Sequence, residues 1–202
     1  GLVLPPQLAP DQVVIVPIYR SEEERQAVAD KAEALKKQLE AHQIRVKFDN
    51  RDNFKPGYKF NEYELKGVPL RIAIGPKDLE KQQVELARRD TLTKQFVAEN
   101  ELIPVVVELL ETIQEALYVK ALAFREEHIT VVNDFDHFQE VLHKKGGFIA
   151  AHWDGTEATE QAIKNATKAT IRCIPLDAPE EAGTCVFSGK PSTRRVLFAK
   201  AY

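Results

Sequence analysis

The chain has 202 residues, 44% of them hydrophobic and 29% charged, with two cysteines, no methionine and a formal net charge of −3. Cys173 and Cys185 are too few for a disulfide framework or an all-cysteine, four-ligand metal site. The longest apolar runs, Val13-Val14-Ile15-Val16 and Val105-Val106-Val107, fall far short of the roughly 20 residues a membrane span needs. A soluble, cytoplasmic protein with two small cores is expected, and the start at Gly1 without any methionine suggests a segment of a longer chain. The acidic total hides a sign asymmetry. From Ile44 to Lys94 there are 12 Lys/Arg against 8 Asp/Glu, and from Gln161 to Tyr202 there are 7 against 3, so two segments are locally basic. That asymmetry lets an acidic chain present a basic face to phosphate.

Residues 1–10 are apolar, proline-rich and without period, as a linker would be. Residues 13–18 are a short apolar run, predicted to be a buried strand. Over 22–42, Val28, Ala32, Leu35 and Leu39 recur on one helical face, with Ser21 as N-cap. Residues 44–49 alternate like a half-buried strand, so 13–49 reads as a β-α-β unit favouring a parallel pair. A turn-rich stretch, 50–57, leads to a polar-aromatic segment at 58–66. Strands are then predicted at 68–75, 83–89 and 94–98. A long helix follows over 101–128, with Asn100 as cap and Pro104 tolerated in the first turn. A second domain starts near Asn133. It holds a helix at 134–144, a break at Gly146-Gly147, a strand at 148–153, a helix at 156–166, a strand at 169–174, a turn at 185–189 and a last strand at 194–199.

The densest cluster of special residues is Phe54-Lys55-Pro56-Gly57-Tyr58-Lys59-Phe60-Asn61-Glu62-Tyr63-Glu64-Leu65-Lys66-Gly67-Val68-Pro69-Leu70-Arg71. Aromatics interleaved with bases suit unstacked RNA, because nucleobases stack on rings while Lys and Arg meet phosphates and base edges. The same pattern also suits a helix that packs Tyr58, Phe60 and Tyr63 inward with its lysines outward. Gly75-Pro76-Lys77-Asp78 reads as a turn at a strand end carrying one base and one acid. No phosphate-cradling glycine-rich loop is present, which leaves nucleotide hydrolysis and NAD chemistry unsupported. The five histidines form no metal-ligand pair at helical spacing, and a Cys/His hydrolase using Cys173 or Cys185 would need a spatial coincidence.

These strings resemble the C-terminal part of prolyl-tRNA synthetases of the archaeal and eukaryotic-like kind. Pro56-Gly57-Tyr58-Lys59-Phe60, Glu64 to Arg71 and Gly75 to Asp78 fall in family order, as do Arg172-Cys173-Ile174-Pro175, Gly189-Lys190-Pro191 and Arg195 to Tyr202. The resemblance implies an α/β fold: a linker at 1–12, a mixed-sheet anticodon-binding domain at 13–130 and a small α+β C-terminal domain at 131–202. It implies that Phe60, Glu64, Arg71, Lys77 and Asp78 read the anticodon of tRNA(Pro), with Lys55, Lys59 and Lys66 as weaker backbone contacts. Prolyl tRNAs share GG as second and third anticodon letters; Arg and Lys match the N7 and O6 acceptors of guanine, and carboxylates match its donors. Tyr202 is expected to reach the active site of the parent enzyme. The resemblance implies that this parent uses ATP and Mg2+, and a homodimer is expected. The catalytic motifs are absent here, so the segment alone should not aminoacylate tRNA. A stand-alone RNA-binding module of this fold is the alternative. In zinc-carrying relatives, cysteines occupy the positions of Trp153, Ala158, Cys185 and Ser188. Only Cys185 matches, so no zinc is expected, and Trp153 packing should replace the metal.

Overall fold

In the computed structural model, which describes residues 1–201, the chain divides into two compact units, Gly1–Val119 and the part from Lys120 onward. The division falls inside one long helix, about ten residues before the 130/131 boundary expected from the sequence. A helix running on from one unit into the next offers no turn residue to mark the passage.

The first unit contains β1 (Val13–Pro17), α1 (Glu22–Ala41), β2 (Val46–Phe48), α2 (Pro56–Lys66), β3 (Leu70–Ile74), α3 (Pro76–Glu80), β4 (Gln83–Arg88) and β5 (Lys94–Ala98), followed by the start of α4 (Leu102–Glu127). The sheet order is β2-β1-β3-β4-β5. β1 runs parallel to β2 and β3, whereas β3, β4 and β5 pair antiparallel, which gives the expected mixed sheet. Alternation along the strands sends Val13, Ile15, Leu70, Ile72, Ile74, Val84 and Leu86 to one face. There they meet Val28, Ala32, Leu35 and Leu39 of α1 and Val106 of α4 in one core. Each fully buried Ile or Leu stabilises by about 1.5–3 kcal/mol. On the opposite face, Val14 and Val16 lie under Tyr63, Val68 and Phe60, so α2 covers the β1 side.

Local chemistry sets the ends of these elements. The Ser21 hydroxyl accepts a hydrogen bond from the Glu24 amide at 3.2 Å, as an N-cap does. Before α4, residues Glu99–Glu101 form a 3₁₀ turn, so Asn100 lies within that turn rather than capping the helix. α2 ends at Gly67 in the left-handed conformation (φ 75°), where a Cβ would come within 2.7 Å of Leu2. Residues 1–12, expected as a linker, are tied to this unit. The Leu2 and Leu4 amides donate to the carbonyls of Leu65 and Gly67, and the Arg45 guanidinium donates to the carbonyls of Pro6 and Ala9.

The second unit holds β6 (Ile129–Val131), α5 (Phe135–Lys144), β7 (Phe148–His152), α6 (Glu157–Thr167), β8 (Ala169–Cys173), β9 (Gly183–Thr184), β10 (Pro191–Ser192) and β11 (Arg195–Lys200). Its sheet order is β6-β7-β11-β8, with β9 and β10 as a separate hairpin, an α+β arrangement. Three residues are too few to show a period, and β6 escapes a sequence reading because only its parallel pairing with β7 defines it. Phe138, Ile149, Ile163, Val196 and Phe198 fill the core. Among the described residues, no helix is long and apolar enough to cross a membrane.

Candidate nucleic-acid interface

Arg71 lies on β3, on the face covered by α2. Antiparallel and parallel register place it beside Val14 on one side and Ala87 on the other. Its guanidinium carbon stands 3.5 Å from the centroid of the Phe60 ring, a cation–π stack. One terminal nitrogen, Nη2, reaches Glu85 Oε1 at 3.3 Å. The other, Nη1, is buried and has no hydrogen-bond partner among the described residues. An unpaired buried N–H costs about 1–3 kcal/mol of lost hydration. Burial draws the Arg71 pKa down, against the pull of the Glu85 and Glu64 carboxylates. Arginine keeps its charge through such a shift. The residue is a charged donor whose Nη1 hydrogen-bonding capacity is not met by the described residues.

Phe60, Glu64 and Arg71 line one pocket with Tyr63, Arg89 and Leu92. Phe60 and Glu64 are four residues apart on α2 and so share a helix face. Arg89 donates from Nε to the Glu64 carbonyl at 3.0 Å, which fixes the β4–β5 turn against the end of α2 and leaves the exposed Glu64 carboxylate for other partners. The pocket encloses about 20 Å³, room for about one water. A base would therefore engage its mouth. Glu85 and Leu92 carry little signal in the sequence; for Glu85 it is a lone carboxylate between Val84 and Leu86 on a strand otherwise apolar at that point.

Lys59, expected to touch RNA phosphate, is buried (1% exposed). Its ammonium donates to the Asp49 carbonyl at 3.0 Å and lies 3.6 Å from Asp49 Oδ1. Arg51 completes this network with two bonds to the Asp49 carboxylate and one to Glu62. Burial by itself would raise the Asp49 pKa, but the Arg51 hydrogen bonds and the Lys59 and Arg51 charges hold it at about 2. Lys59 faces inward because it precedes the buried Tyr63 by four residues. Tyr58, by contrast, is outward and stacks on Phe54 at 4.4 Å.

Lys77 and Asp78 lie outside the Arg71 pocket, on α3 beyond the far end of β3. The expected turn is a short helix, with Pro76 in its first turn and Asp78 Oδ2 accepting from the Gly75 amide at 2.9 Å. Lys77 is exposed and Asp78 half-buried. Lys55 is exposed at the N-cap of α2, while Lys66 pairs with Glu62 at 2.6 Å. Tyr202 lies outside the described residues.

Residues 12–109 match the family model described as "Anticodon binding domain", and residues 135–202 match "Prolyl-tRNA synthetase, C-terminal". The chain carries the anticodon-binding and C-terminal domains of the prolyl-tRNA synthetase family. Among its relatives are proteins named proline–tRNA ligase from Christiangramia forsetii, Flavobacterium johnsoniae and Flavobacterium psychrophilum. They are 62%, 60% and 58% identical over the whole of this chain. The chain spans 41% of the length of each.

The C-terminal prolyl-tRNA synthetase domain is held together here by a carboxylate. Asp154 Oδ2 accepts from Ser188 Oγ at 2.7 Å and Thr159 Oγ1 at 2.8 Å, while Oδ1 accepts from the Thr156 hydroxyl and amide. These bonds tie the β7–α6 connection to the 185–189 turn. Burial would raise the Asp154 pKa, but the hydroxyl bonds hold it at about 2. The donor set Trp153, Ala158, Cys185 and Ser188 does not fit zinc, which takes thiolate, imidazole or carboxylate ligands. Trp153, expected to substitute by packing, is half-buried, packs against the core of this unit and donates its indole N–H to the Thr156 carbonyl. The polar cross-link centred on the next residue stands beside that packing. Cys173 is exposed and Cys185 buried. His152 is committed to Ser192 at 3.1 Å, with Glu181 3.6 Å from its other nitrogen, so no Cys/His nucleophile pair forms around it.

Proposed function

We propose that the first unit reads the two anticodon guanines of tRNA(Pro), as part of an enzyme that joins proline to its tRNA using ATP and Mg2+. The observation that carries this reading is Arg71: charged, stacked on Phe60, facing Glu64 and holding one buried N–H without a partner. Guanine presents N7 and O6 acceptors on one edge and N1 and N2 donors on another. Arg71 supplies donors to the first edge, Glu64 accepts from the second, and Phe60 holds the stack in place. Lys77 and Asp78 offer the same donor and acceptor pair for the second guanine. Asp78 keeps one oxygen for that task while the other caps α3. Lys55 and Lys66 meet phosphate, and Lys59 serves the fold instead. The parent enzyme is read as a cytoplasmic homodimer whose catalytic half binds ATP and proline.

The test is competition binding of anticodon stem-loops carrying GG, GA, AG or AA at the two positions. GG should win over either single exchange by about 1–3 kcal/mol. Equal binding of all four would leave only general RNA affinity and end the anticodon assignment.

A further inference from the structure

We propose that Phe96 is a second stacking platform, one that takes an unpaired nucleobase flanking the guanine pair; this rests on the anticodon reading above. Phe96 lies on the edge strand β5 with 62% of its surface exposed. A single exposed ring is ordinary on a protein surface, so what borders Phe96 decides its role. Cross-strand register sets it opposite Glu85, and Glu85 opposite Ala73. Its ring is therefore on the face that carries Arg71, not the face that carries the core. Ala87, its diagonal neighbour, is too small to cover it.

The same face joins the platform to the Arg71 pocket. Glu85 stands between them, accepting from Arg71 at 3.3 Å and pairing with Lys94 at 3.4 Å, so its charge is offset by two cations. Lys94 is two residues before Phe96 on β5 and thus on the same face, with an exposed side chain whose ammonium lies beside Glu85 and within reach of a phosphate. β3 and β5 are two strand spacings apart, about 10 Å, a gap that about one or two unstacked nucleotides bridge. An aromatic face beside a cation, continuous with a base-reading pocket, suits an unstacked base of any identity. It is less suited to an apolar protein partner, because Glu85 and Lys94 border the ring.

The experiment measures the affinity of the 202-residue chain for GG and AA anticodon stem-loops with Phe96→Ala, Phe96→Leu and Phe96→Trp. Alanine and leucine should both weaken the two RNAs alike, by roughly 5- to 100-fold, keeping the GG-over-AA ratio, while tryptophan stays near wild type. An abasic nucleotide at one loop position flanking the guanines should weaken wild type by a similar factor and leave Phe96→Ala unaffected. Thermal melts of the three variants should match wild type, since the ring is exposed. The proposal is overturned if Phe96→Ala binds within about twofold of wild type, if leucine restores full affinity, or if no flanking abasic site is silent in the alanine variant. Loss of affinity in Phe96→Ala together with a wild type indifferent to GG would keep the platform and remove the anticodon reading.

Discussion

Two clusters that each draw a base from the run Phe54 to Arg71 behave in opposite ways. Around Asp49, Lys59 and Arg51 spend their donors on one carboxylate and a carbonyl, and Glu62 takes what remains. Around Arg71, the guanidinium has a ring on one side, one long bond to Glu85 and a buried nitrogen with no partner among the described residues. Both clusters are basic and both are at least partly buried. What separates them is whether their hydrogen-bonding capacity is met inside the fold. A met network supports the fold, whereas an unmet buried donor marks a place where a water or a ligand group has a bond to gain. Asp154 in the second unit belongs with the first kind, since each of its oxygens accepts at least two bonds.

Lys59→Met removes a buried ammonium and leaves Asp49 with Arg51 alone, which should cost about 3 kcal/mol of stability in chemical denaturation; a loss under about 0.5 kcal/mol would mean the network does not support the fold. Asp154→Ala should cost about 2 kcal/mol, because three side-chain donors and an amide lose their acceptor together. Ser188→Ala, which removes one of those bonds, should cost about 1 kcal/mol.

Acid adds a test of both carboxylates. Asp49 and Asp154 have folded pKa values near 2, below the ordinary 3.8. Groups held below their unfolded value contribute stability that is complete above the unfolded pKa and is lost as pH falls toward the folded one. Melting temperature should therefore drop between about pH 4 and pH 2, and the drop should be shallower in Asp154→Asn. An equal slope in that variant would remove Asp154 from the account. The smallest effect is expected at the open end. Lys55→Ala should weaken GG and AA stem-loops equally and reduce the salt slope by about one charge.

The sequence carried the reading a long way where local pattern decides the geometry. Phe60 and Glu64 share a face because they are four apart on a helix, and Arg71 follows after a glycine that ends it, so the pocket is legible from spacing. Lys59 was misplaced because lysines at alternating positions look alike until the helix phase is fixed; the buried Tyr63, four residues on, fixes it. α3 is too short to show a period, and Pro76 with Asp78 signals a turn and a helix start equally well. The Asp154 cross-link was illegible because its partner Ser188 is 34 residues away. Phe96 looked like an ordinary strand residue, and only the register shows that its ring leaves the core.

Whether unmet hydrogen-bonding capacity marks the reading residue, and met capacity the supporting one, is decided by the GG-over-AA affinity ratio in Arg71→Ala and in Lys59→Met, each measured where the variant is folded. Arg71→Ala should lose about 1–3 kcal/mol of that preference, while Lys59→Met keeps the wild-type ratio. A preference unchanged in Arg71→Ala, or lost as fully in Lys59→Met, would contradict that division of roles.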